Sequence, residues 1–372
     1  KDYMNGKLDV AYLFDMAPAI DASMALEILK NPKKYSRLHN YGDDVEFLPS
    51  KRILIDVDKK DVLASGMVDS SQLSLVADKI DMNLRHKSYM GKQDITILDL
   101  LQNNKWQRPI YFAVTVGADN YVGLGDYLEL EGMAYRITPI KSDPFATSER
   151  VNTEKMYDNM MHKFKWGGIA ENPNIYMDEN NLRMTSTFRF MFVRLAEALL
   201  DEARQEEMKT RYGEALAVVL EYGHRLPQLD PRSMDAFRSL TAAYYGNDRL
   251  INRSGAKSSY SDSLLISRVR PMAEKLMGIN AEGMSDLELS KALKSYIGNV
   301  DTTAINKVIK EKENRALEVI DYAQKVLPAP QIPYNSGSLM MARVYDQLGE
   351  KEKRDVIISE MEHNSLQYLD WI

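Results

Sequence analysis

The chain has 372 residues, long enough for about two domains that each bury a core. With 48 Lys and Arg against 54 Asp and Glu, the formal net charge is −6; no excess of positive charge draws the chain onto a phosphate backbone, and nucleic acid is not an expected partner. Cysteine is absent, which excludes disulfides, thiolate nucleophiles and cysteine-based metal sites.

In chain order, the first clear elements are strands. Ile53, Ile55 and Val57 alternate with Arg52, Asp56 and Asp58, and Ile80, Met82 and Leu84 alternate with Asp81, Asn83 and Arg85, the period-two pattern of half-buried strands. Ile110 to Val116 is almost continuously apolar and follows Arg108-Pro109, which predicts a central strand. Met133, Tyr135 and Ile137 alternate with Ala134, Arg136 and Thr138 until Pro139 ends the run. Between these lie helical patterns at Ser70–Asp78, Asp94–Asn103 and Gly123–Glu131. Strands alternating with helices argue for a mixed α/β domain over residues 1–145. The longest apolar stretch, Pro109 to Ala118, is about half of the roughly 20 residues a transmembrane helix needs. The chain opens on Lys1 without a signal pattern and reads as a piece of a longer polypeptide.

Residues 146–181 read as a junction punctuated by Gly167-Gly168, Pro173 and several Asn, with a short helix near Glu154–Phe164. Over 182–372 only helical periodicity remains. Phe188, Phe192, Leu195 and Leu199 form one apolar stripe. Residues 215–227 (ALAVVLEYGHRLP) and 316–328 (ALEVIDYAQKVLP) share an Ala-to-Pro spacing of twelve, and Ala342, Tyr345 and Gly349 mark a further hairpin. This fits degenerate tetratricopeptide-like helical hairpins, in which a small residue permits close crossing and a proline ends the second helix. The expected fold class is therefore α+β: a mixed sheet domain followed by an all-α TPR-like domain.

Few motifs carry chemistry. Gly123 and Gly125 follow an apolar strand and precede an expected helix, a context that suits phosphate, but Leu128 stands where the third glycine of a dinucleotide loop belongs. Asp56, Asp58 and Asp61 lack the glycine and glutamate of a calcium loop. The five histidines are scattered, no Gly-x-Ser-x-Gly elbow occurs, and no cofactor or metal is called for. The mixed-sign runs Lys310–Arg315 and Glu350–Arg354 read as exposed helix faces, and Lys30–Lys34 as a small basic patch able to touch anionic lipid. The candidate binding cluster is Trp106, Arg108, Asn120, Tyr121, Tyr127, Glu131, Tyr135 and Arg136. Such residues can stack on a sugar ring and hold its hydroxyls, but the commoner role of aromatics is to pack a core, with Trp106 and the tyrosines packing the sheet while Arg108 and Glu131 cap or pair locally.

Asn103–Val114 (NNKWQRPIYFAV), Asp119–Pro139 (DNYVGLGDYLELEGMAYRITP) and Tyr157–Ile169 (YDNMMHKFKWGGI), with FLPSKRILIDVD at Phe47–Asp58, carry a resemblance. They look like the carboxy-terminal soluble region of large multi-spanning membrane proteins, typical of Bacteroidetes, that are grouped with protein O-mannosyltransferase-like glycosyltransferases. The resemblance implies an amino-terminal transmembrane bundle absent from this chain, with these residues on the periplasmic side of the inner membrane and catalysis in the missing half. No catalytic residue carries over. The expected function is a non-catalytic interaction module that contacts its own transmembrane domain and binds an acceptor protein, a glycan or a partner subunit. Two alternatives are a stand-alone enzyme holding a nucleotide or sugar-phosphate at Gly123–Tyr127, and a structural lid over the membrane domain.

Overall fold

A computed structural model of the chain describes residues 10–30, 38–40, 43–45, 47–142, 149–169, 171–172, 176–207, 216–217, 220–221, 269–327 and 336–371. They fall into two compact units, Lys1–Pro144 and Phe145–Ile372. The first is built of small mixed sheets and the second of helices, an α+β chain.

The N-terminal unit contains eleven short strands among its described residues: β1 (Val10–Leu13), β2 (Ile20–Asp21), β3 (Leu38–Asn40), β4 (Asp43–Val45), β5 (Phe47–Leu48), β6 (Arg52–Asp56), β7 (Lys79–Asn83), β8 (Tyr89–Gly91), β9 (Tyr111–Ala113), β10 (Leu128–Leu130) and β11 (Ala134–Ile137). Three helices, α1 (Ala22–Lys30), α2 (Lys59–Ala64) and α3 (Lys92–Asn104), accompany them. The strands form three-stranded sheets ordered β5-β1-β8, β2-β6-β7 and β10-β11-β9, with β3 paired to β4. The alternation read at residues 52–58 and 80–85 becomes the antiparallel β6–β7 ladder, in which Ile53 faces Met82 and Ile55 faces Ile80. All four side chains are buried, and Leu26, Leu29, Ile95 and Leu98 from α1 and α3 are buried with them. Parallel β2–β6 and β1–β5 pairs sit beside antiparallel partners, so two of the sheets combine both strand directions.

Three local expectations are corrected. Gly123–Glu131 is not a helix: a three-residue 3₁₀ turn, Gly125–Tyr127, runs straight into β10, which forms a hairpin with β11. Leu124 and Leu128 imitate a helical stripe, but Leu128 and Leu130 are both buried at strand spacing. The run Ile110–Val116 supplies only β9, an edge strand; β11 is central and covered on both faces, with Tyr135, Arg136 and Ile137 all buried. The helix expected at Ser70–Asp78 is a 3₁₀ segment, Ser70–Leu75, whose start is fixed by reciprocal capping between Asp69 and Gln72.

The helical unit contains α4 (Thr153–Asp158), continued by a π-type segment Asn159–Lys163, then α5 (Glu179–Glu207), a helical stretch over 269–277, α6 (Asp286–Gly298), α7 (Thr302–Val326), α8 (Ser336–Gln347) and α9 (Lys351–Trp371). The stripe Phe192, Leu195 and Leu199 of α5 is buried, as are Ala316, Val319, Ile320 and Ala323 of α7. Ser285 and Glu288 cap the start of α6 reciprocally, and Asp301 caps α7 by accepting from the Thr303 and Ala304 amides. Gly349, at φ +78°, turns α8 into α9, a left-handed position that glycine occupies without steric cost. Most of the repeat segment 215–227 and of the basic patch Lys30–Lys34 lies outside the described residues. The charge runs are not simply solvated. Lys312 and Arg315 are each only 18% exposed and bonded to other helices, and Lys353 and Arg354 hold Asp321 and Asp346.

Candidate functional site

The word NNKWQRP is a helix end. After α3 the backbone takes left-handed angles at Lys105 (φ 48°) and Trp106 (φ 61°), which non-glycine residues adopt at a cost of about 1 kcal/mol or more each. Two things offset that cost. The Asn104 carboxamide clamps the turn, donating to the Arg108 carbonyl at 2.6 Å and accepting from its amide at 3.3 Å, and the Trp106 ring is buried.

The word DNYVGLGDYLELEGMAYRITP packs the β10-β11-β9 sheet. Tyr121 lies 5.3 Å from Phe112 and 5.9 Å from Tyr135, centroid to centroid. The buried Tyr127 hydroxyl accepts from the Asp81 amide on β7 at 3.0 Å. Val122 is fully buried at φ 54°, and Gly123 follows at φ 73°. A Cβ on Gly123 would overlap the main chain of Asn83, so this glycine is required by close approach to β7. The chain after it enters a strand, which leaves no helix N-terminus to face a phosphate.

Within this sheet Glu131 and Arg136 form a buried ion pair of 3.2 Å across the β10–β11 hairpin. The Tyr111 hydroxyl on β9 donates to the same carboxylate at 2.8 Å. Burial, and next the bond to Glu131, pushes the Tyr111 phenol up to about 12, so it remains a proton donor at neutral pH. Arg136 Nε is buried without a hydrogen-bond partner. Of the eight residues singled out from the sequence, Tyr121 and Tyr135 share one aromatic contact, Glu131 and Arg136 share the ion pair, and Trp106 and Tyr127 are buried elsewhere in the unit. Arg108 and Asn120 are exposed, with local bonds to Asn104 and to the Gly117 carbonyl. Tyr111 was not among them, although its place out of phase with Phe112 marks it as facing away from that ring.

A second site is a groove of about 440 Å³ in the helical unit, lined by Met161, Asn314, Leu317, Glu318, Asp321, Tyr322 and Lys325. Six of these recur along α7 at helical spacing, on the stripe opposite the buried Ala316–Ala323 face. The carboxylates are positioned by donors. Glu318 accepts from the Tyr157 hydroxyl at 2.7 Å; Asp321 accepts from the Tyr345 hydroxyl at 2.8 Å and from Lys353 at 2.8 and 3.0 Å. Burial, then the carboxylate bond, pushes the Tyr157 phenol up to about 12 and raises that of Tyr345 too. Tyr322 rests on Phe192, itself against Trp166. Beside the groove, Arg315 grips Glu154 at 2.6 and 3.1 Å and stacks 4.2 Å over Tyr157, while Lys312 joins Glu154 and Glu202. The bonds from Arg315 hold the Glu154 carboxyl below its ordinary range. On α5, burial lowers the Arg189 guanidinium to about 10, opposed by Glu360, and it stays charged at neutral pH.

Among the described residues, no group of three or more His, Asp or Glu is placed to hold a metal ion, and no helix is long and apolar enough to cross a membrane. Residues 1–155 match a family model described as TMEM260-associated domain 2. The match spans the N-terminal unit and the start of the next, which is consistent with a domain of a larger TMEM260-like protein. No curated protein and no solved structure matches the chain.

Proposed function

We propose that the chain is a non-catalytic recognition module of a larger TMEM260-like, glycosyltransferase-like membrane protein. It stands on the periplasmic side of the inner membrane, beside its own transmembrane domain, and binds an acceptor protein, a glycan or a partner subunit. The observation that carries this reading is the match of residues 1–155 to a TMEM260-associated domain. The helical groove supports it. Its carboxylates are held by Tyr157, Tyr345 and Lys353, the fixed polar points of a binding surface, between the apolar Met161, Leu317 and Tyr322. A TPR-like stacking of α5, α7, α8 and α9 would make this a groove of the kind such repeats present to partners. The chemistry of any transfer belongs to the membrane-embedded part.

The test uses the whole reading frame expressed in its host, with a photo-crosslinking amino acid at position 317. Covalent adducts of discrete mass are expected on illumination, and protease added to spheroplasts should cut the segment. Absence of any adduct would overturn the recognition role. Protection from protease until the membrane is lysed would overturn the placement.

A further inference from the structure

On the β5-β1-β8 sheet, Tyr12 of β1 pairs in register with Phe47 of β5 on one side and with Tyr89 of β8 on the other. Directly paired residues point to the same face, and adjacent strands lie about 4.8 Å apart, so the three rings form a row about 10 Å long across the sheet. The opposite face, with Ala11, Leu13, Leu48 and Met90, is buried. The row is not: Tyr12 is 40% and Tyr89 52% exposed, while Phe14 braces the Phe47 end with an edge-on contact at 5.6 Å.

One rank along the same face, Val10 pairs with Gly91. A Cβ on Gly91 would lie 2.8 Å from both Nε2 and Oε1 of Gln93. The Gln93 carboxamide therefore occupies the place beside Tyr89 where a side chain would otherwise stand. Gln93 is exposed, and among the described residues its carboxamide makes no hydrogen bond. A donor and an acceptor thus sit next to two exposed phenol rings, each with its own hydroxyl.

We propose that this row is a binding site for a neutral saccharide chain. A pyranose ring has an apolar C–H face and a rim of hydroxyls; the face lies on Tyr12 and Tyr89, and the rim reaches Gln93 and the phenol oxygens. Charge separates this ligand from other stacking ligands. A nucleotide or a phospholipid head needs a free cation, but Lys87, on the turn that enters β8, is only 18% exposed and bonded to Asp94 at 2.9 Å. A protein partner would cover far more than one row of rings, since stable interfaces bury roughly 800 Å² on each side. The proposal rests on the recognition reading only for why such a ligand would be at hand; the chemistry of the row is independent of the helical groove.

Saturation-transfer NMR of the full 372-residue chain with maltotetraose, mannotetraose and cellotetraose tests it. Transfer is expected to the ring C–H protons of at least one of the three. Tyr12→Ala and Tyr89→Ala should each weaken binding about tenfold or more, Gln93→Ala several-fold, and Tyr89→Phe, which keeps the ring, much less than Tyr89→Ala. All three positions are on the surface, and unchanged circular dichroism will establish that the variants fold. Either of two NMR results would overturn the proposal: no transfer to any of the three probes, or undiminished transfer in the Tyr12→Ala/Tyr89→Ala double variant. A wild-type dimer in light scattering that Tyr12→Ala converts to monomer would assign the row to a second copy of the chain and also overturn it. Crosslinking from position 317 reads the groove alone, so failure of either test leaves the other informative.

Discussion

In the N-terminal unit two ionic pairs, Lys87–Asp94 and Glu131–Arg136, are set into an apolar core of short strands with each carboxylate almost fully buried. In the helical unit, carboxylates and cations bridge one helix to the next on surfaces that stay partly wet: Glu154 with Lys312 and Arg315, Glu202 with Lys312, and Asp321 with Lys353. The first arrangement is held by packing and by backbone geometry that only certain residues tolerate. The second adds an electrostatic component that salt and acid can reach. A buried tryptophan on a left-handed turn, or a glycine against a neighbouring main chain, restricts residue identity far more than an exposed ion pair does.

The largest loss of stability is expected at Trp106, in the packed unit. Replacing it with alanine removes a buried ring and keeps the left-handed backbone, and should cost about 3–5 kcal/mol. Glycine at the same position also loses the ring but relieves the backbone, and should be less damaging than alanine by about 1 kcal/mol. Segment-resolved hydrogen exchange reads both variants, with loss of protection expected across α3 and the β10-β11-β9 sheet. Equal effects of alanine and glycine would mean that the turn stores no strain.

A smaller effect is expected in the helical unit at Glu154. Its carboxyl is held below the ordinary range first by the Arg315 bond, so its stabilising contribution is complete above the pKa of an unfolded glutamate and is lost as pH falls through the lowered folded value. The side chain is 67% exposed, and the contribution at pH 7 should be no more than about 1 kcal/mol. The stability gap between wild type and Glu154→Gln, from urea unfolding, should therefore close in acid and shrink in high salt. A gap that persists at pH 2 would show that packing, not charge, ties α4 to α7.

How much could be read from the chain itself follows the same division. The β6–β7 ladder was legible because Ile53, Ile55, Ile80 and Met82 alternate cleanly, and α5, α7 and the α8–α9 turn because their apolar stripes keep helical spacing. The apolar run Ile110–Val116 marks a central strand by hydropathy, yet the central place goes to β11. The strand buried on both faces carries Arg136, made tolerable there by Glu131 in the turn that joins β10 to β11, and no hydropathy pattern announces such a pair. For the aromatic and charged residues between Trp106 and Arg136, packed rings and locally paired charges are legible in the sequence, but the pairing of Glu131 with Arg136 is not. The α7 groove was missed because its residues lie on the stripe opposite the one the repeat pattern uses.

The smallest expected effect has the opposite sign and sharpens the contrast within one helix. Glu197 of α5 is raised above the usual carboxylate range, first by burial and next by the like charge of Asp201, with Arg343, Arg204 and Arg194 opposing. A carboxyl that binds its proton more tightly in the folded state than in the unfolded one makes the fold gain stability as pH falls through the raised value, the reverse of Glu154. Above that value the buried charge costs free energy, and Glu197→Gln, which keeps the shape without the charge, should raise the melting temperature modestly at pH 7–8. That advantage should vanish near pH 4, where the wild-type carboxyl also carries a proton. The two variants measured side by side should therefore give pH profiles of opposite slope. A Glu197→Gln variant less stable than wild type at pH 8 would mean that the three arginines outweigh burial and that the α5 surface belongs with the charge-bridged helices after all.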